Sequence, residues 1–229
     1  MRPVVKGPAP KPEYNPYGSA LEDLTRCLGY YCSYCEQTIT HAPEIEHVQP
    51  KSLEPGLEYS WDNFLLSCKS CNGVKSATPV DPAKVAFPDI DNTFRALEFH
   101  PDGRITVAPG LDSASSALMQ ETIKLVKLHR HPSAALKKDR PTPRDKRVEF
   151  RKDVWNLAEL MLDRYQKNPD VADLIAEEIA PARGFFSIWM TVFANYPDML
   201  NRFIDAFPST DSGCFDTSGQ PVARHSGRF

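Results

Sequence analysis

Two cysteine pairs, Cys32-x-x-Cys35 and Cys68-x-x-Cys71, enclose a carboxylate, an imidazole and a carboxamide at Glu46, His47 and Asn63, and a second carboxamide, Asn72, follows the last cysteine. An x-x spacing lets two thiolates of one turn face a single ion, so the four sulfurs complete a tetrahedral, closed site suited to structural zinc. Such an ion contributes apparent binding energy on the order of 10 to 16 kcal/mol, enough to replace a core that a short segment lacks. Disulfides are the weaker reading, because the proline-rich opening from Met1 to Pro12 has no apolar leader that would send the chain to an oxidising compartment.

These groups need elements to hold them. Ser19-Ala20-Leu21-Glu22 has the form of a capping box, and Leu21, Leu24 and Leu28 recur at helical spacing up to Gly29, which predicts a helix over about 20–28. Between Cys35 and Cys68 no long helical period occurs. Ile45 and Val48 mark one short strand around Glu46 and His47, Phe64-Leu65-Leu66 marks a second, and Asn72 to Lys75 begins a short helix. Strand alternation would place Glu46 and His47 on opposite faces, which leaves open how both reach one ion.

This arrangement, Glu46-His47 followed by Pro50, then Asn63-Phe64-Leu65-Leu66, then Cys71-Asn72-x-x-Lys75, resembles the HNH endonucleases, whose ββα-metal fold gathers such groups around one divalent ion. The resemblance implies His47 as general base, Asn63 as the residue that orients the histidine loop, and Glu46 and Asn72 as catalytic residues that bind the metal, with Glu44 the alternative to Glu46. Many members carry aspartate where this chain has Glu46 and histidine where it has Asn72. Hard oxygen ligands suit Mg²⁺ or Mn²⁺ as the catalytic ion. Hydrolysis of a phosphodiester needs an in-line water, a base and a cation on the leaving oxygen. An imidazole with an ordinary pKa of about 6.5 meets the second requirement at neutral pH. Lys75, one helical turn beyond Cys71, is expected to meet a phosphate.

Beyond this segment, Leu97 and Phe99 face Ile105 and Val107 across Pro101-Asp102-Gly103 as a β-hairpin, and from Ser113 the chain is helical. Thr142-Pro143-Arg144-Asp145 predicts the start of a helix whose apolar stripe is Phe150, Val154, Leu157, Met161 and Tyr165, with basic residues on its outer face. The expected fold class is therefore α+β. Its parts are an extended arm (1–18), a zinc-stapled ββα-metal module (19–80), a linker with the hairpin (81–112), a mainly helical region (113–207) and a polar tail (208–229).

The net charge of −3 conceals a segregation: residues 124–152 hold eleven basic side chains against three acidic ones. A concentrated positive stretch in an otherwise acidic chain is a candidate polyanion footprint, with Lys137, Lys138 and Arg140 as candidate nucleic-acid contacts. A solvated face or a surface for an acidic partner explains the same charges. The most apolar later stretch, 185–196, is too short to cross a bilayer, so a cytoplasmic protein without membrane contact is expected. Cys27 reads as a small buried hydrophobe, and Cys214 has no reading from sequence. The opening residues, the HNH-like unit and the helical half together resemble the nuclease component of Septu-type bacterial anti-phage defence, also found beside some retrons. That resemblance implies DNA as substrate and an ATPase partner in a hetero-oligomeric complex. A non-catalytic zinc-stabilised module that binds nucleic acid or protein is the alternative.

Overall fold

The computed structural model describes residues 1–229. Helix α1 (Leu21–Leu28) buries Leu24 and Leu28 and ends at Gly29, where φ is 71°. Ser19 does not cap it. A 3₁₀ turn over Tyr17–Ala20 runs straight into α1, so Ser19 already has helical backbone and its hydroxyl lies away from the first free amides.

Strand β1 (Glu44–His47) pairs antiparallel with β2 (Phe64–Ser67), setting Glu46 opposite Leu65 and His47 opposite Phe64. All four residues of β2 are buried, as expected for the apolar run at 64–66. Helix α2 (Lys69–Lys75) follows at once, with Cys68 at its N-cap. The resulting order is the β, β, α unit that the motif spacing implied. The expected hairpin is also present, β3 (Leu97–Phe99) against β4 (Ile105–Val107), with Leu97 opposite Val107 and Phe99 opposite Ile105.

The remaining chain is helical: α3 (Ser113–Leu125), α4 (Arg147–Lys167), a π-helical turn over Leu174–Ile179 continuing into α5 (Ala180–Arg183), α6 (Phe186–Val192) and α7 (Pro197–Ala206). Helix α4 begins later than Thr142-Pro143 predicts. Residues 142–145 form a turn closed by the Asp145 amide donating to the Thr142 carbonyl, and the Asp145 carboxylate then grips Arg147 at the first helical position. Its buried face is also rotated from the expected stripe: Phe150 is 45% exposed, while Arg147, Val148, Arg151, Val154, Trp155, Ala158 and Met161 are buried.

Neither end of the chain is a free arm. Met1, Arg2, Val4 and Tyr14 are buried, Val4 bridges Thr210, and Lys6 Nζ donates to the carbonyls of Trp61 (3.1 Å) and Phe64 (2.9 Å) beneath β2. In the tail, Cys214, Phe215 and Phe229 join the same apolar core, with the Cys214 thiol pushed up to about 12 by burial. Cys27 is half-buried, its sulfur 3.2 Å from the Lys6 carbonyl. No helix is long and apolar enough to cross a membrane.

One joint ties the cysteine-bearing unit to the helices. Glu36 follows Cys35 directly; its carboxylate accepts from the Ser187 amide (2.9 Å) and hydroxyl (2.5 Å), and its carbonyl accepts from the Phe185 amide (2.9 Å). Gly184 makes this approach possible, at a φ of 72° that disfavours side chains and with a Cβ position only 2.6 Å from the Glu36 carbonyl oxygen. Gly184→Ala is expected to destabilise the protein by about 2 kcal/mol or more, from left-handed strain plus the clash, as read from urea-unfolding midpoints.

Candidate active site

The four cysteines converge although 32 residues separate the pairs. Their sulfurs all lie within 4.8 Å of one another and all four residues are buried. The Cys35 and Cys68 sulfurs are 3.7 Å apart. Zn–S bonds of about 2.3 Å at tetrahedral angles separate sulfurs by about 3.8 Å, so this pair has the separation of two sulfurs on one zinc ion, and none of the cysteines forms a disulfide. The Cys71 amide donates to the Cys68 sulfur (3.3 Å), which caps α2 and gives that sulfur the hydrogen bond expected of a metal-bound thiolate.

His47 closes β1 with its ring half-buried between Tyr17 and Phe64, at centroid distances of 4.9 and 5.2 Å, edge to face with both. Its Nε2 lies 3.0 Å from the Glu58 carbonyl oxygen. A carbonyl only accepts, so Nε2 carries the proton and Nδ1 keeps its lone pair. Burial, reinforced by Lys51 and Lys75, holds the His47 pKa below its ordinary value, although the bond to Glu58 opposes the shift. A neutral imidazole with a free Nδ1 is what a general base requires.

The loop that supplies Glu58 is fixed by Asn63. The Asn63 side chain accepts from the Gln49 amide (2.8 Å) and donates to the carbonyls of Gln49 (2.9 Å) and Leu57 (3.2 Å). It thus grips the chain two residues after His47 and one residue before Glu58, fixing the imidazole and its orienting carbonyl together. Lys51, 3.1 Å from the Glu58 carboxylate and 4.1 Å from the Tyr17 ring centre, completes this side of the site.

The opposite face of β1 differs from the sequence reading. Glu46 and Lys75 are both buried, with Lys75 Nζ 2.5 Å from Glu46 Oε1 and donating to the His47 carbonyl oxygen at 2.7 Å. Lys75 therefore cannot meet a phosphate: its apolar stem lies under the sheet and its charge is spent on Glu46. Burial pushes the Glu46 carboxyl up to about 7, with Lys75 pulling it back. Alternation keeps Glu46 and His47 on opposite faces, and no bend brings them together. Asn72 Nδ2 donates to Glu44 Oε2 (2.8 Å), so the more accessible Glu44 is the carboxylate beside Asn72. One observation fits a hard cation here: Glu46 Oε2 is buried with no hydrogen-bond partner.

Lys137, Lys138 and Arg140 lie exposed on the loop before α4. Lys138 lines an open cleft of about 650 Å³ with Lys124, Lys127 and His129. Lys124 and Lys127 also border the space beside Val74 and Thr78 at the end of α2. Two contributors escaped sequence reasoning. Glu58 acts through its carbonyl, which leaves no side-chain signal. Arg147, whose Nη1 is 3.2 Å from the Cys71 sulfur, was read as part of a basic surface; the pattern Asp145-x-Arg147 was the only hint of its burial.

Residues 32–78, which make up this ββα unit with its cysteine frame and oriented histidine, match the family model described as HNH endonuclease. Over 63 residues the chain is also 36% identical to the Septu protein PtuB of Bacillus thuringiensis, a match covering 26% of this chain and 24% of that protein. The chain thus spans about a quarter of the length of that relative.

Lys75→Met is expected to destabilise the protein by about 1 to 3 kcal/mol, because it leaves the buried Glu46 carboxyl and the His47 carbonyl without their donor. Adding Glu46→Gln should recover part of that loss. A surface phosphate contact would leave the unfolding midpoint unchanged in both variants.

Proposed function

We propose that this protein is a divalent-cation-dependent endonuclease that hydrolyses phosphodiester bonds in DNA, and that it serves as the nuclease subunit of a bacterial anti-phage defence complex with an ATPase partner. The observation that carries the catalytic reading is the Nε2 bond of His47 to the Glu58 carbonyl. It commits the imidazole to one tautomer and leaves Nδ1 to take a proton from water. Asn63 acts as the positioning residue for that geometry.

Glu46, Glu44 and Asn72 supply the oxygen atoms that would hold Mg²⁺ or Mn²⁺. When bound, the cation supplies charge neutralisation at the scissile phosphate and its leaving oxygen. Cys32, Cys35, Cys68 and Cys71 would hold zinc as a closed structural centre, contributing to folding and not to the chemistry. The defence reading draws on the similarity to the Septu protein PtuB. Exposed Lys137, Lys138 and Arg140 would guide the DNA backbone, as counterion release at phosphates favours.

His47→Ala is expected to lower cleavage of plasmid DNA about 10²- to 10⁴-fold, measured with Mg²⁺ or Mn²⁺ and with the partner present, while bound zinc stays unchanged. Undiminished cutting by a preparation free of other nucleases would end the base assignment. Changing Lys137, Lys138 and Arg140 together to alanine should weaken DNA binding and flatten the dependence of log K on log salt by roughly one unit of slope per lost phosphate contact. Equal slopes would move the DNA path elsewhere.

A further inference from the structure

Arg147 and Arg151 stand one helical turn apart at the start of α4, and each is only 2% exposed. The Arg147 guanidinium is shared among three segments. Nη1 lies 3.2 Å from the Cys71 sulfur and donates to the Val126 carbonyl (2.8 Å), while Nε and Nη2 bind the Asp145 carboxylate at 2.8 and 2.7 Å. Arg151 donates from Nε to the Gly103 carbonyl (2.7 Å), and its Nη1 is buried with no hydrogen-bond partner. Two buried cations thus face one nearby carboxylate and four sulfurs.

The charge count explains why they are tolerated. Four thiolates around Zn²⁺ carry a net charge of −2, and buried charges require partners. With the metal bound, the sulfur centre is the counter-ion for the start of α4. Val126 and Arg147 are also the two ends of the loop that carries Lys137, Lys138 and Arg140. Arg147 therefore closes the base of that loop and pins it to Cys71, next to Asn72.

We infer that Arg147 is a positioning residue that couples the zinc centre to the basic loop, so that loss of the metal releases the loop and the first turns of α4. This rests on the zinc reading of the four cysteines. Zinc content of the purified full chain comes first, and a wild type without zinc overturns both.

Hydrogen–deuterium exchange is then followed with and without a zinc chelator. Chelation is expected to speed exchange of amides at 126–130 and 147–155 at least tenfold, with α7 protected as before. Uniform loss of protection, α7 included, or no change at 126–130 and 147–155, would overturn the coupling. In the zinc-loaded state Arg147→Met should reproduce the local loosening and weaken zinc binding about 10- to 100-fold in competition with a chromogenic chelator. Arg147→Lys, which keeps the charge but not the fork of donors, should restore part of that affinity. Zinc affinities within twofold of wild type in both variants would overturn the inference, and this reading needs no nuclease activity.

Discussion

Four sulfurs meeting in one buried cluster are the constraint on which the site depends. Cys32 and Cys35 belong to a knuckle after α1, and Cys68 and Cys71 to the first turn of α2, so their convergence clamps the two ends of the segment that contains β1, β2 and the histidine loop. Neither a two-stranded sheet nor a seven-residue helix is stable alone in water. A zinc ion held by the cluster would supply the cross-link that lets them persist. The cluster also orders α2 from its first residue, because the Cys68 sulfur serves as the cap.

Around that cluster the protein treats its charged and neutral groups differently. Glu46 with Lys75 and Asp145 with Arg147 are buried pairs, in which each partner would be costly alone. Such pairs hold β1 against α2 and α4 against the cysteine frame in one arrangement. His47 is instead held by neutral means, two aromatic edges and a backbone carbonyl, which leave a ring nitrogen unoccupied. A residue proposed to accept a proton is therefore oriented without a carboxylate partner that would raise its pKa.

The helices are joined to this unit through Glu36, Gly184 and Arg147 rather than through a broad sheet. Similarity to the HNH family ends at residue 78, and the helical region carries the exposed basic loop. Substrate guidance and partner contact, as proposed, would therefore reside on elements that share one apolar core with the cysteine-bearing unit and are pinned to it by a few buried polar contacts.

Much of the cysteine-framed unit was legible from sequence because its determinants are local. The cysteine spacing, the apolar run Phe64-Leu65-Leu66 and the hairpin signal around Gly103 each act over a few residues, and the corresponding elements formed where expected. Asn63 bonds Gln49 and Leu57 on either side of the histidine loop. The sequence by itself thus determined the order of the elements and the meeting of the sulfurs. Tertiary structure alone decided that Lys75 and Arg147 are buried, that Glu44 is the carboxylate beside Asn72, and that the chain ends pack into the core. The reason is physical: a lysine or arginine reads as a surface residue unless its counter-ion is known, and here the counter-ions or acceptors come from segments as distant as Glu46 from Lys75 and Cys71 from Arg147.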